Sequence, residues 1–99
     1  ASTKAPLSAM TFAEVLATSD LPHGVINILT GKKEEIAPWM ASHMDIDALD
    51  ISGLPAKLHA ETKVAGAENL KRIHSFKSAD PGRIIAFMEA KTVWHPIGL

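Results

Sequence analysis

Ninety-nine residues make one domain, with room for a modest core and a thin stability margin. An apolar fraction of 46% with 21% charged residues fits a globular class, and a formal net charge of -1 without basic runs interleaved with aromatics excludes an electrostatic footprint for nucleic acid. The lack of cysteine excludes disulfides, thiolate metal sites and a thiol nucleophile within the chain.

No apolar run is long enough to span a bilayer, and the opening ASTKAPLSAM lacks a basic region ahead of an apolar core, so neither a membrane helix nor a secretory signal is expected. A disulfide-free interior suits a cytoplasmic location. The first residue is Ala1 rather than Met, which points to processing or to a piece of a longer chain.

In chain order, Leu7, Met10, Ala13 and Ala17 follow helical spacing, with Phe12 and Leu16 beside them and Ser8 as candidate N-cap. Turn chemistry in Thr18–Gly24 leads to Val25–Leu29, a short branched run between Gly24 and Gly31 that reads as a buried strand. A helix follows within Lys32–His43, its start left open because Pro38 belongs in a first turn, and Trp39, Met40 and Met44 are expected on a core face, with a partner surface as the alternative. Ala48–Ser52 is a second strand, ended by Gly53. Pro55 opens a helix to about Val64, closed by Gly66. Leu70–Phe76 is a third strand. Asp80 and Pro81, as N-cap and first helical residue, start a last helix carrying Ile84, Phe87 and Met88.

Apolar strands alternating with helices predict an α/β fold of parallel βαβ units, with Val25–Leu29 beside Ala48–Ser52 in one sheet. Residues 92–99 form an irregular tail, in which Trp94 has no obvious partner. The five histidines are widely separated, so no metal site is expected. Lys32-Lys33-Glu34-Glu35 reads as a solvated helix start.

Pro6-Leu7-Ser8-Ala9 followed by Leu21-Pro22-His23-Gly24-Val25-Ile26-Asn27-Ile28-Leu29-Thr30-Gly31 resembles the cofactor-binding domain of NAD(P)-dependent aldehyde dehydrogenases. Further blocks keep the family's order: Ala41-Ser42-His43 with Asp45 and Asp47, then Ile51-Ser52-Gly53-Leu54, then Ala65-Gly66 with Asn69-Leu70-Lys71-Arg72-Ile73. The resemblance covers roughly residues 1 to 76. It implies a three-layer Rossmann-like parallel sheet flanked by helices over residues 1–91.

The family's reaction needs a cysteine thiolate to attack the aldehyde and a glutamate to activate water. This chain has no thiol, and by the resemblance Phe76 stands where the glutamate is expected. The resemblance also implies NAD or NADP as cofactor, with Ser52 and Gly53 as the residues nearest its phosphates. Thr3 replaces the glutamate that holds the adenine ribose, in the segment Ala1-Ser2-Thr3. Glu34 and Glu35 are expected to repel a pyrophosphate where the family has a Gly-rich turn.

The sequence therefore reads as a non-catalytic cofactor-domain segment, a structural or assembly module. The alternative is a piece of a complete enzyme whose nucleophile lies elsewhere. A family-type sheet has a central strand before Ser2. Without it, Val25–Leu29 would expose an unpaired edge, so a partner is expected: the 92–99 tail, a second copy, or the rest of a larger protein.

Overall fold

The computed structural model describes Ala1 and residues 3–98; Ser2 and Leu99, each part of a segment named above, lie outside the described residues. Helix α1 spans Leu7–Thr18, α2 Lys33–Ser42, α3 His59–Ala67 and α4 Pro81–Ile85, with a single 3-10 turn at Ala56–Leu58 leading into α3. Two strands, β1 (Ala48–Asp50) and β2 (Arg72–His74), pair in parallel with Leu49 opposite Ile73 and Asp50 opposite His74. The α/β character and the parallel β1-α3-β2 unit follow the sequence expectation.

The core lies on one face of this sheet. Ala41 of α2, Leu49 and Ile51 form its buried centre, with Ile46, Leu54, Ala65 and Ile73 packed around them. Ile51 is 2% exposed, and full burial of such a side chain is worth about 1.5–3 kcal/mol. The buried positions of α2 and α3 are small, Ala37 and Ala41 on one and Thr62 and Gly66 on the other, which lets the two helices approach each other closely. Thr62 satisfies its hydroxyl by donating to Leu58 O at 2.7 Å. At Gly66 a Cβ would stand 2.3 Å from Ile73 Cδ1, so only glycine lets α3 lie against β2 there.

Helix bounds depart from expectation in three places, one of them α3, which begins at His59 rather than Pro55 and runs through Gly66 to Ala67. Pro6, not Ser8, is the N-cap of α1, and no side chain caps it. In α2 the helix begins at Lys33, so Pro38 sits inside it rather than in its first turn. The missing N–H of Pro38 leaves the Glu34 carbonyl without its i+4 donor, which is tolerable because Glu34 is exposed to water. The Asp80 cap is as expected: its carboxylate accepts from Gly82 N at 2.8 Å, with Pro81 at the first helical position. Beyond Ile85 the chain turns rather than continuing as helix, so Phe87 and Met88 follow α4 instead of lying within it.

The largest correction concerns Val25–Leu29, which is not a strand and does not pair with Ala48–Ser52. A strand is defined by a ladder, and this run pairs with neither strand; the N-terminal ammonium of Ala1 donates to Leu29 O at 2.6 Å. Among the described residues the sheet has two strands. Val25 and Leu29 are 62% and 59% exposed, where the sequence pattern calls for burial.

The same lack of cover extends elsewhere. Helix α1 buries no residue. Trp39 and Met44, expected on a core face, are mostly exposed, because α2 turns Ala37 and Ala41 inward instead. Tail residues 92–98 carry no regular structure and are exposed, Trp94 at 89%, so they do not cover the sheet.

The radius of gyration, 17.1 Å, compares with about 13 Å for a compact chain of this length. The accessible surface of 8277 Å² compares with about 5,500 Å² for a folded monomer of this mass. No helix among the described residues is long and apolar enough to cross a membrane.

Candidate functional site

Open parallel sheets gather chemistry at the carboxyl ends of their strands. Here β1 runs into the turn Ser52-Gly53-Leu54-Pro55, and β2 into Ser75-Phe76. Asp50, the last residue of β1, folds its carboxylate forward: Oδ1 accepts from Ser52 N at 2.9 Å and from Ser52 Oγ at 2.5 Å. The Ser52 hydroxyl in turn accepts from Phe76 N at 2.7 Å, tying the ends of the two strands together. Arg83 of α4 reaches the other carboxylate oxygen, with Nε donating to Oδ2 at 2.7 Å and a second guanidinium nitrogen closing the ion pair. Burial alone would raise the Asp50 pKa. The hydrogen bonds from Ser52 and then the bond and charge of Arg83 outweigh it, and the carboxyl is held below the usual range.

Phe76, at the position of the expected base, packs into an aromatic group. Its ring stacks on His74 at 5.6 Å, Phe87 meets His74 edge-on at 5.6 Å, and the Arg83 guanidinium lies 5.7 Å from the Phe76 centroid. Among the described side chains, His74 Nε2 is a buried polar atom with no hydrogen-bond partner.

A pocket of about 310 Å³ at the turn is lined by Thr3, Lys4, Lys33, Glu34 and Ser52–Pro55. Lys33 Nζ donates to Gly53 O at 3.3 Å and stands 3.0 Å from where a Cβ on residue 53 would lie, so its ammonium fills the space above the glycine. Glu35 does not line this pocket; it pairs with Lys32 at 3.2 Å on the exposed side of α2, leaving Glu34 as the carboxylate at the mouth.

The pocket sets Glu34 against two ammonium groups, and the hydroxyl of its turn is engaged. Ser52 has one O–H to give and gives it to Asp50, whose negative charge lies directly behind the turn. Lys33 and Lys4 supply positive charge at this pocket, and Lys33 gives one of its three N–H donors to the Gly53 carbonyl.

A second pocket, about 330 Å³, is a slot along the free edge of β1. Its lining brings together Asn27, Leu29 and Gly31, the β1 residues Leu49 and Asp50 with Ile51, and Ile36, Ala37 and Met40 of α2, along with Ala1, Lys33, Gly53, Leu54 and Thr62. The bonds Ile51 N to His74 O and Arg72 N to Asp47 O show that Asp47 and Ile51 face β2. The main-chain groups of Ala48 and Asp50 therefore point away from β2, to the strand's free edge, where Asp50 lines the pocket.

The aldehyde dehydrogenase family model matches residues 1–76. The chain belongs to the aldehyde dehydrogenase family. It is 38% identical over 72 residues to the NADP/NAD-dependent aldehyde dehydrogenase PuuC of Escherichia coli, covering 73% of this chain and 14% of that protein. It is 34% identical over 68 residues to a mitochondrial aldehyde dehydrogenase of Leishmania tarentolae, covering 69% of this chain and 14% of that protein. A putative aldehyde dehydrogenase-like protein of Schizosaccharomyces pombe is 28% identical over 97 residues, covering 95% of this chain and 19% of that protein. The chain thus spans a small part of these aldehyde dehydrogenases, between 14% and 19% of their length. No solved structure matches the chain.

Two of the aldehyde dehydrogenase motifs meet in space. Asn69 Nδ2 donates to Ser42 O at 3.0 Å and the Lys71 ammonium to His43 O, so the Asn-Leu-Lys-Arg segment caps the carboxyl end of α2 at Ala-Ser-His. Sequence reading by resemblance found these residues without their role. It missed Asp50, Arg83 and Lys33. The Asp-Ile-Ser spacing, which allows a carboxylate to bond the amide two residues on, was a usable signal for Asp50. Nothing local marks Arg83, which lies 33 residues from its partner.

Proposed function

We propose that this aldehyde-dehydrogenase-type chain is a non-catalytic cofactor-domain segment, a structural or assembly module that completes its sheet with a strand from further polypeptide. The slot beside β1 carries the reading. It joins a free main-chain edge to apolar residues of α2, between two segments that a three-layer Rossmann-like sheet would have joined through one more strand. The partner is another polypeptide, either a second copy or the remainder of a larger protein.

Family membership implies NAD or NADP, and Ser52 and Gly53 are the positions we assign nearest its phosphates. With the Ser52 hydroxyl turned to Asp50, this chain binds either cofactor weakly on its own. Catalysis by the chain has no chemical basis: it holds no thiol, and Phe76 is packed among His74, Phe87 and Arg83.

The greater length of the relatives favours a second reading, a piece of a complete NAD(P)-dependent enzyme oxidising aldehyde to carboxylic acid with its nucleophile elsewhere. Phe76 weighs against it, since the base would still be missing. An assay of NAD- and NADP-dependent aldehyde oxidation, on protein cleared of host dehydrogenases, tests the first reading. No turnover above a heat-treated control is expected, and turnover that co-purifies with the chain would overturn it.

A further inference from the structure

The family-model match ends at residue 76, yet the residues that follow return to bond both strands. Arg83 bonds Asp50 across 33 positions, and Arg72 Nη1 donates to Met88 O at 3.3 Å. Phe87 sits edge-on to His74. In a parallel pair Asp50 and His74 are register partners, so their side chains share one face, opposite to Leu49 and Ile73 of the core. The segment after β2 therefore lies on the sheet face that α2 and α3 leave open.

This segment is lightly held. Its helix has five residues, buries none of them, and leaves Ile84, Ile85 and Met88 largely exposed. Among the described residues its attachment is made by the Arg83 bonds to Asp50, the Arg83 guanidinium over Phe76, the weaker Arg72 bond and the Phe87–His74 contact. Asp50 is also the acceptor for the only O–H of Ser52.

We propose that residues 77–88 form a strap over the carboxyl ends of β1 and β2, latched by Asp50 and Arg83, and that the closed strap keeps the Ser52 hydroxyl on Asp50 and Phe76. The coupling runs through one carboxylate. Arg83 holds Oδ2 and so fixes the plane in which Oδ1 receives Ser52. With the latch open, Asp50 is free to rotate, Ser52 loses its fixed acceptor, and the strand-end bond to Phe76 N loosens. The inference rests on the contacts of Asp50 and not on whether the turn takes a cofactor, so it stands or falls separately from the functional reading above.

Hydrogen exchange on the intact chain, comparing wild type with Arg83→Gln and Ser52→Ala, tests it. In Arg83→Gln the amides of Ala86, Phe87 and Met88, which bond Gly82, Ile84 and Ile85 carbonyls, should exchange about tenfold faster. Phe76 N should follow them, while Ile51 N and Arg72 N within the sheet stay unchanged. Ser52→Ala should release Phe76 N alone and leave the strap closed. Unchanged exchange at Ala86–Met88 in Arg83→Gln would overturn the proposal. So would an equal rise at Ile51 and Arg72, because Arg83 would then be a contact for global stability and not a latch.

Discussion

Lys71 donates its ammonium to the main-chain carbonyl of His43, 28 positions earlier, and does so while 8% exposed. A buried cation needs a strong acceptor, and a helix C-terminus offers one through its unpaired carbonyls and its dipole. Replacing the ammonium while keeping most of the stem, Lys71→Met, should lower the urea stability by about 1.5–3 kcal/mol, the range for a hydrogen bond to a charged group. Unfolding curves of the two proteins that superimpose would show that the carbonyl is served equally well by water.

Gly66 and Ile73 are the second such pair. A methyl on residue 66 would meet Ile73 Cδ1 at 2.3 Å and Cγ1 at 3.3 Å. Gly66→Ala should therefore destabilise, by about 1–3 kcal/mol from overpacking, despite a gain of up to about 1 kcal/mol in helix propensity. In an Ile73→Val background, which removes Cδ1, the same change should cost at least 1 kcal/mol less. A double-mutant cycle in urea reads the coupling directly, and a coupling energy near zero would mean that the clash is relieved elsewhere.

Much of the α/β pattern was legible because it is local. Asp80-Pro81 announces a capped helix start, and the segments 48–52 and 70–76 contain the shorter parallel pair, Ala48–Asp50 and Arg72–His74, that a helix joins. Val25–Leu29 carried the same apolar signal and still forms no strand. Periodicity reports what a segment could bury, and whether a ladder forms depends on a neighbour that the segment itself does not encode. The misplaced Trp39 and Met44 have the same origin. Alanine, glycine and threonine at the α2–α3 contact set which face of α2 turns inward, and those residues look unremarkable in sequence. Of the site, Ser52, Gly53 and Phe76 were legible by resemblance. The Asp50–Arg83 pair was not, because residues so far apart in sequence are joined only by the return of the chain after β2.

Asp50 makes stability depend on acidity with a defined sign. Its carboxyl is held below its ordinary value of 3.8, the hydrogen bonds of Ser52 and Arg83 having overcome the opposing effect of burial. Below 3.8 the unfolded carboxylate binds its proton before the folded one does. The stabilisation is thus whole above that pH and is lost as pH falls through the folded value. Thermal melts between pH 5 and pH 2 should show a steeper acid loss in the native chain than in Asp50→Asn, which is less stable at neutral pH. Parallel pH profiles for the two proteins would contradict this.

Dinucleotide binding should be weak. Thr3 offers no carboxylate to a ribose, and Ser52 has no O–H to spare for a phosphate. One missing charge-assisted hydrogen bond corresponds to about 1.5–3 kcal/mol, so affinity should fall at least tenfold from that loss alone. Calorimetry with NAD and NADP is the check. Submicromolar binding of either would show that Ser52 changes partner without difficulty.

Polypeptide from outside the described residues should complete the slot beside β1. The most direct test is sedimentation of the chain across concentration, with and without residues 92–99, combined with exchange at the Ala48 and Asp50 amides on the free edge of β1. A molecule with Leu29, Val25, Trp39 and Trp94 largely exposed should associate as concentration rises. Association should protect Ala48 and Asp50, and it should persist without the tail, because Trp94 does not cover the sheet. A well-folded, monodisperse monomer in both forms, with those two amides equally exposed at every concentration, would contradict the account.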